Sequence, residues 1–230
     1  MVDPAPVLIE IDDLAYRTSS GDSEFELRVS ALSIRAGEHV ALLGRSGSGK
    51  TTLLSLIAGI LLPQRGRVRV AGVDVPRLSD AERRRFRIGS IGIVFQEFEL
   101  LEHLSVAENV LLPYFVNPAL TLDAAARARL DELARATGID RHLRKKPRQL
   151  SQGERQRTAL CRALVTAPRL LLADEPTGNL DAQTAALVVD LMLEQARRRD
   201  ATVLCVTHDR AWLPRFDRAV ELETLAGARP

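Results

Sequence analysis

The segment Gly44-Arg45-Ser46-Gly47-Ser48-Gly49-Lys50-Thr51 places glycine, lysine and a hydroxyl at every fixed position of G-x-x-x-x-G-K-[ST]. Glycines let the main chain wrap a polyphosphate closely, with its N–H groups turned inward as an anion nest. The Lys50 ammonium would reach the β- and γ-phosphates, and the Thr51 hydroxyl would bind Mg²⁺. The chain contains only three lysines, Lys50, Lys145 and Lys146, and otherwise uses arginine. A lysine where a compact point charge is wanted therefore carries information.

A bound nucleotide also needs a metal ligand, a positioned water and charge stabilisation at the γ-phosphate. Asp174, after four apolar residues, would hold the metal directly or through water. Glu175 beside it would face the attacking water as general base, or polarise it. Gln96, after Ile91-Gly92-Ile93-Val94-Phe95, would ligate Mg²⁺ and orient that water, and His208 would contact the γ-phosphate. Each of these alone also fits a solvated loop residue; the glycine-rich loop is what gives the set meaning. Ser151-Gln152-Gly153-Glu154 is a capping box that opens a helix, and a helix N-terminus with a glycine in its first turn also binds anions. Two such devices for one phosphate group point to a site shared between two subunits.

These residues need elements to position them. His39–Leu43 reads as a buried strand feeding the loop, and the helix behind it runs through Ala58, ended by Gly59 and Pro63. Val7–Ile11 and Phe25–Val29 read as strands, with a turn at Ser19-Ser20-Gly21-Asp22 between them, and Arg67–Val70 reads as an exposed strand. A capping box at Ser79-Asp80-Ala81-Glu82 opens a basic helix with Arg83, Arg84, Arg85 and Arg87, followed by the buried strand Ile91–Phe95. Residues 97–167 offer no strand. They hold a second capping box at Ser105-Val106-Ala107-Glu108, an amphipathic helix over 122–136 closed by Gly138, and a helix from the Ser151 box through Ala163. Arg169–Ala173 and Thr202–Val206 read as strands around a helix over 182–199. The pattern predicts an α/β chain: a parallel sheet covered on both faces, an N-terminal antiparallel β layer and an inserted helical lobe. Ligands of such sheets bind at the carboxyl ends of strands, where the glycine-rich loop, Gln96, Asp174, Glu175 and His208 all fall. The tail from Thr224 is small and polar and is expected to fray.

Composition narrows the partners. With 46% apolar and 27% charged residues the chain is an ordinary globular protein, and 32 basic against 30 acidic residues favour no nucleic-acid partner. The longest apolar stretch, Leu53–Leu62, is too short to span a bilayer, and Met1-Val2-Asp3-Pro4 lacks the basic start of a secretion signal. Cys161 and Cys205 lie in apolar segments and read as buried thiols, although a disulfide between them is possible in principle.

Taken together, the residues resemble the nucleotide-binding subunits of ABC transporters over nearly the whole chain. The resemblance includes the Walker A loop Gly44–Thr51, the Q-loop Gln96, the signature Leu150-Ser151-Gln152-Gly153-Glu154-Arg155-Gln156, Walker B at Leu170–Glu175, the D-loop Asn179-Leu180-Asp181 and the H-loop His208. It implies a single nucleotide-binding domain over 1–230 with a P-loop NTPase fold: the β layer and RecA-like core over 1–96 and 168–230, and the helical subdomain over 97–167. It also implies ATP held in cis by Tyr16, stacked on adenine, and by Gly44 through Thr52. In trans, Ser151, Gln152, Gly153 and Glu154 would contact it. Mg²⁺ would sit on Thr51, Gln96 and Asp174, and Glu175, His208 and Gln96 would serve hydrolysis. Two copies would sandwich two ATPs as a homodimer and drive two permease subunits from the cytoplasmic face of a bacterial inner membrane. The signature departs from the family's Ser-Gly-Gly at Gln152, whose side chain would stand at the dimer interface.

Ala173 through Asp181, Phe95-Gln96 with Leu100-Leu101, and Glu108-Asn109-Val110 with Pro113 are similar to one subgroup, the lipoprotein-release (LolD), macrolide-efflux (MacB) and cell-division (FtsE) ATPases. Such cassettes transmit closure to periplasmic domains through their permeases, and the helical lobe after Gln96 would take the permease's coupling helix. The alternative is an FtsE-like ATPase that switches a membrane partner without transport. A soluble ATPase acting on DNA or ribosomes would need a coiled-coil, zinc or second-ATPase insertion, and a GTPase an Asn-Lys-x-Asp reader. The sequence contains neither.

Overall fold

The computed structural model describes residues 5–20 and 23–225. Strands β1 (Val7–Ser20) and β2 (Ser23–Arg35) pair antiparallel along their whole length, far beyond the short runs that alternation alone predicts. The reason is a change of phase. Buried Ile9 and Ile11 give way to buried Leu14 across Asp13, which takes φ of +46, and on β2 buried Leu27 and Val29 give way to Leu32 and Ile34. Each half alternates, but the two halves are out of step. The predicted turn at Gly21 and Asp22 lies outside the described residues. β3 (His39–Leu43) leaves for the second sheet, while β4 (Arg65–Val70) and β5 (Val73–Asp74) complete an antiparallel layer of order β2-β1-β4-β5. β4 is half-buried rather than exposed: Val68 and Val70 enter the core while the arginines face outward.

The second sheet is parallel throughout, of order β6-β7-β8-β3-β9, with β6 (Ile91–Val94), β7 (Leu170–Asp174), β8 (Thr202–Val206) and β9 (Arg218–Glu221). β3 and β8 are buried along their whole length, as strands covered on both faces must be. Successive residues feed different cores. Val40, Leu42, Leu172 and Leu204 pack under the antiparallel layer and α1 (Lys50–Ile57). Ala41, Leu171, Ala173, Val203 and Cys205 pack against the helices on the other face.

Those helices are α3 (Val106–Val116), α4 (Ala124–Thr137), α5 (Gln152–Leu164) and α6 (Ala182–Arg197); α2 (Asp80–Ser90) packs beside β6. All three sequence-predicted capping boxes form, at Ser79–Glu82, Ser105–Glu108 and Ser151–Glu154. The segment 97–167 contains no strand among the described residues, and it shares one apolar core with the sheet. Cys161 and Cys205 are free and buried in that core. Burial pushes the Cys161 thiol up to about 12 and the Cys205 thiol higher, so neither is a nucleophile.

The end of β6 and the start of the frayed tail differ from the sequence expectation, and two short elements go unpredicted. β6 stops at Val94, and Phe95 is 37% exposed, because the chain turns off the sheet edge there. β9 and the short turn α7 (Leu222–Leu225) have no clear signal, since Arg218-Ala219-Val220-Glu221 is only four residues long and half polar. Thr224 is not frayed: its hydroxyl donates to the Glu221 carbonyl at 2.6 Å. The rest of the predicted frayed tail lies outside the described residues.

Candidate functional site

Strand register brings the sequence-predicted residues together. Leu42 pairs with Val206, and Val206 with Asp174, while Val94 pairs with Ala173. Gly44, His208, Glu175 and Gln96 therefore leave adjacent strands at one carboxyl edge, at steps of ~4.8 Å per strand. A cleft of 420 Å³ opens there, lined by Ser46, Gly47, Gly49, Lys50, Thr51, Thr52, Gln96, Glu175 and Phe25.

The glycine-rich loop is built for an anion. Gly49 is the N-cap of α1 with φ of +101, and no side chain caps that helix, so its first N–H groups stay open to a ligand. A Cβ on Gly49 would meet Phe25 Cζ at 2.8 Å, which fixes glycine here twice over. Lys50 is buried, and its ammonium donates to the Gly44 and Arg45 carbonyls at 2.8 Å each. The loop is thus curled around its own cation. Ser48 Oγ is buried with no partner among the described residues, an unmet polar atom inside the same loop. From the far end of the chain, Glu223 accepts the Arg45 N–H at 2.9 Å and holds the loop's first turn. That bond keeps the Glu223 carboxyl below its ordinary pKa.

Asp174 sits half-buried at the end of β7 and accepts a hydrogen bond from the Thr51 hydroxyl. Burial raises its pKa, the Glu175 charge adds to the rise, and Thr51 and Lys50 oppose it. A carboxyl that titrates higher in the folded chain stabilises the fold fully below its unfolded pKa. That contribution is lost as pH climbs through the folded value. Asp174→Asn is therefore expected to raise the melting temperature of nucleotide-free protein at neutral pH. The advantage should vanish below about pH 4, where the wild-type carboxyl is also neutral. A variant no more stable than wild type at neutral pH contradicts this.

Glu175 takes φ of +43, uncommon for a non-glycine residue, and its N–H donates to the Val206 carbonyl at 3.0 Å. The bend turns its carboxylate toward His208, whose Nδ1 lies 3.2 Å from Glu175 Oε2. Gln96 is exposed at the mouth, with its carbonyl accepting from Asn179 Nδ2 at 3.4 Å. The loops after β6 and β7 therefore touch. Just beyond Gln96, Phe98 and Glu99 both take φ of +49, and left-handed backbone costs on the order of 1–2 kcal/mol for each such residue.

Several predicted residues do not line this cleft: Gly44, Arg45 and His208 line a neighbouring one, and Ser48, Asp174, Asp181, Tyr16 and Ser151–Glu154 are outside the lining. Tyr16 pairs with Leu27 on β2, so it lies on the sheet face that reaches Gly49 through Leu27 and Phe25, but the cleft lining includes Phe25 instead. Ser151–Glu154 also contribute nothing to the lining. There the Ser151 hydroxyl accepts the Glu154 N–H at 3.3 Å and Glu154 accepts the Ser151 N–H at 2.7 Å. The Ser151 hydroxyl also hydrogen-bonds the Glu154 carboxylate, which helps hold that carboxyl below its ordinary pKa against the effect of burial. Gln152 is exposed, and a Cβ on Gly153 would lie 2.6 Å from Thr184 Cγ2, so the first turns of α5 and α6 touch. Asp181 caps α6, accepting from the Gln183 and Thr184 N–H groups at 3.1 and 3.0 Å; the Thr184 hydroxyl first, and then these N–H groups, hold its carboxyl below the ordinary range.

Sequence pattern singles out neither Phe25, nor Glu223, nor His142, whose Nε2 lies 2.9 Å from Glu154 Oε1. Phe25 reads as one apolar strand residue among many. Glu223 and His142 are polar residues brought to their partners only by folding.

A family model described as ABC transporter matches residues 27–178. The lipoprotein-releasing system ATP-binding protein LolD of Xanthomonas oryzae pv. oryzae is 44% identical over 191 residues, covering 83% of this chain and 78% of that one. The protein of the same name from Geobacter metallireducens is 43% identical over 216 residues, covering 94% and 95%. The dimeric post-hydrolysis structure of the ATP-binding cassette MJ0796 bound to ADP and Pi superposes with a TM-score of 0.83 at 32% identity, covering 93% of this chain and 94% of that one. Site geometry, relatives and solved structures agree: the chain belongs to the ABC transporter family, as one of its ATP-hydrolysing cassettes.

Proposed function

We propose that this chain binds and hydrolyses ATP as a LolD-type subunit, closing as a homodimer to drive a bacterial lipoprotein-releasing permease from the cytoplasmic face of the inner membrane. The observation that carries the dimer is the separation of two helix N-termini: Ser151–Glu154, at the capped start of α5, are not among the residues that line the cleft of the glycine-rich loop. One copy's loop and the other's signature then enclose each ATP. Gly44–Thr52 hold the phosphates, with Tyr16 or Phe25 against the base. Ser151 turns its hydroxyl from Glu154 to the γ-phosphate across the interface, and Asp181 fixes the D-loop beside it.

Thr51, Gln96 and Asp174 supply a hydroxyl, an amide and one carboxylate. That donor set fits Mg²⁺, which is held mostly by substrate phosphates and water, and no three His, Cys, Asp or Glu side chains form a metal cluster among the described residues. When bound, the metal neutralises charge between the β- and γ-phosphates. Glu175 takes a proton from the attacking water, and His208 holds the Glu175 carboxylate and reaches the γ-phosphate.

The permease has a natural seat. A 270 Å³ cleft between Phe95, Leu112, Pro113 and Val116 lies beside Gln96, and Phe95 and Val116 are 37% and 57% exposed. No described helix is long and apolar enough to cross a membrane. The relatives' name directs the reading to lipoprotein release. The test is co-expression and co-purification with a candidate permease of the lipoprotein-releasing type. The complex should hydrolyse ATP faster than the chain alone and detach lipoproteins from membrane vesicles only with ATP. Stimulated hydrolysis without release favours the switching role instead; no stimulation in a stable complex contradicts both.

A further inference from the structure

Phe98 and Glu99, adjacent in the left-handed region, keep that conformation only where their surroundings over-determine it. One restraint is local: the Glu99 N–H reaches back to the Glu97 carbonyl. The other comes from α5. The Arg162 guanidinium donates to the Phe98 carbonyl at 2.7 Å and to the Glu99 carbonyl beside it. Arg162 is half-buried in the last turn of α5, and burial lowers its pKa. Its rigid fork can hold two carbonyls at once, which a lysine ammonium on a flexible stem does not do with the same geometry.

The opposite end of α5 is the Ser151 capping box. Arg162 is eleven positions on from Ser151, about 16 Å of helix at 1.5 Å per residue. One rod therefore carries the group offered to a partner's phosphate and the grip on the loop of Gln96. We propose that Arg162 is a positioning residue for ATP hydrolysis, holding the Phe98–Glu99 turn, and through it Gln96, in register with the signature helix. This rests on Gln96 facing the nucleotide. Movement of α5 on dimer closure reaches Gln96 through the same fork, while Asn179 steadies the Gln96 carbonyl from the other side.

The test is steady-state hydrolysis by the purified full chain. Arg162→Met should lower kcat about tenfold, equivalent to ~1.4 kcal/mol on the barrier. Its KM for ATP should stay within about twofold, because substrate binding does not use this contact. Arg162→Lys, which keeps charge and length without the fork, should fall between. Glu99→Gly puts a residue at ease in left-handed backbone, so Arg162→Met/Glu99→Gly should recover most of the lost kcat. A purely structural role would lower the melting temperature without that rescue. Wild-type kcat in Arg162→Met, or no recovery in the double variant, overturns the proposal. If Arg162→Met does not fold, wild-type kcat in Arg162→Lys overturns it. Gln96→Ala separates the two readings. Wild-type kcat there fails the role of Gln96 and the route through it, whereas a slow Gln96→Ala beside wild-type Arg162 variants fails Arg162 alone.

Discussion

Glu175→Gln is expected to bind ATP as wild type does, to hydrolyse it about 10²–10⁴-fold more slowly, and to accumulate as a closed dimer. The amide fills the same space but cannot accept the water's proton. Glu175 is the carboxylate best placed to accept it. Its main chain is bent to φ of +43, its N–H is fixed on Val206, and its carboxylate meets His208 at 3.2 Å. Asp174 next to it is engaged with Thr51 and is not free to serve as base. Phosphate release, with size-exclusion chromatography in ATP, measures both consequences. Hydrolysis at the wild-type rate would remove Glu175 from the chemistry.

Ser151→Arg is expected to abolish hydrolysis while leaving ATP binding by the single copy within about twofold of wild type. The residue lies outside the cleft that the glycine-rich loop lines, so the cis contacts survive. Its loss removes a cap, which costs roughly 0.5–2 kcal/mol of helix stability, and inserts a bulky cation where a helix N-terminus already carries positive partial charge. Both effects fall on the face offered to a second copy. Equilibrium binding of a fluorescent ATP analogue, measured beside the hydrolysis rate, separates the outcomes. Loss of single-copy binding would make Ser151 a structural cap and nothing more.

Much of the site is legible in sequence because its residues sit at fixed offsets from buried strands. The apolar runs His39–Leu43, Leu170–Asp174 and Thr202–Val206 locate three strand ends, and the chemistry follows within two residues of each. The three capping boxes are equally local, since Ser and Glu three apart satisfy each other without help from the fold. What stays hidden depends on long-range contact. The β1–β2 ribbon changes its buried phase at Asp13, so neither strand shows one continuous alternation. Glu223 reaches Arg45 across 178 residues, and Arg162 reaches Phe98 across 64. Phe25 becomes a wall of the nucleotide cleft only because Gly49 lacks a side chain. Tyr16 illustrates the converse: an aromatic after a strand start is easy to pick out, yet it pairs with Leu27 and the cleft is lined by Phe25.

The composite site is tested most directly by mixing two inactive copies. Lys50→Ala lacks the loop's cation but keeps Ser151–Glu154, and Ser151→Arg is its complement. Mixed in equal amounts, half of the dimers pair one of each, and each such dimer holds one complete site, about a quarter of the wild-type number. Hydrolysis by the mixture should rise toward that fraction while either variant alone stays inactive. A mixture as inactive as its components, with mixed dimers shown to form, would contradict a site built from two chains.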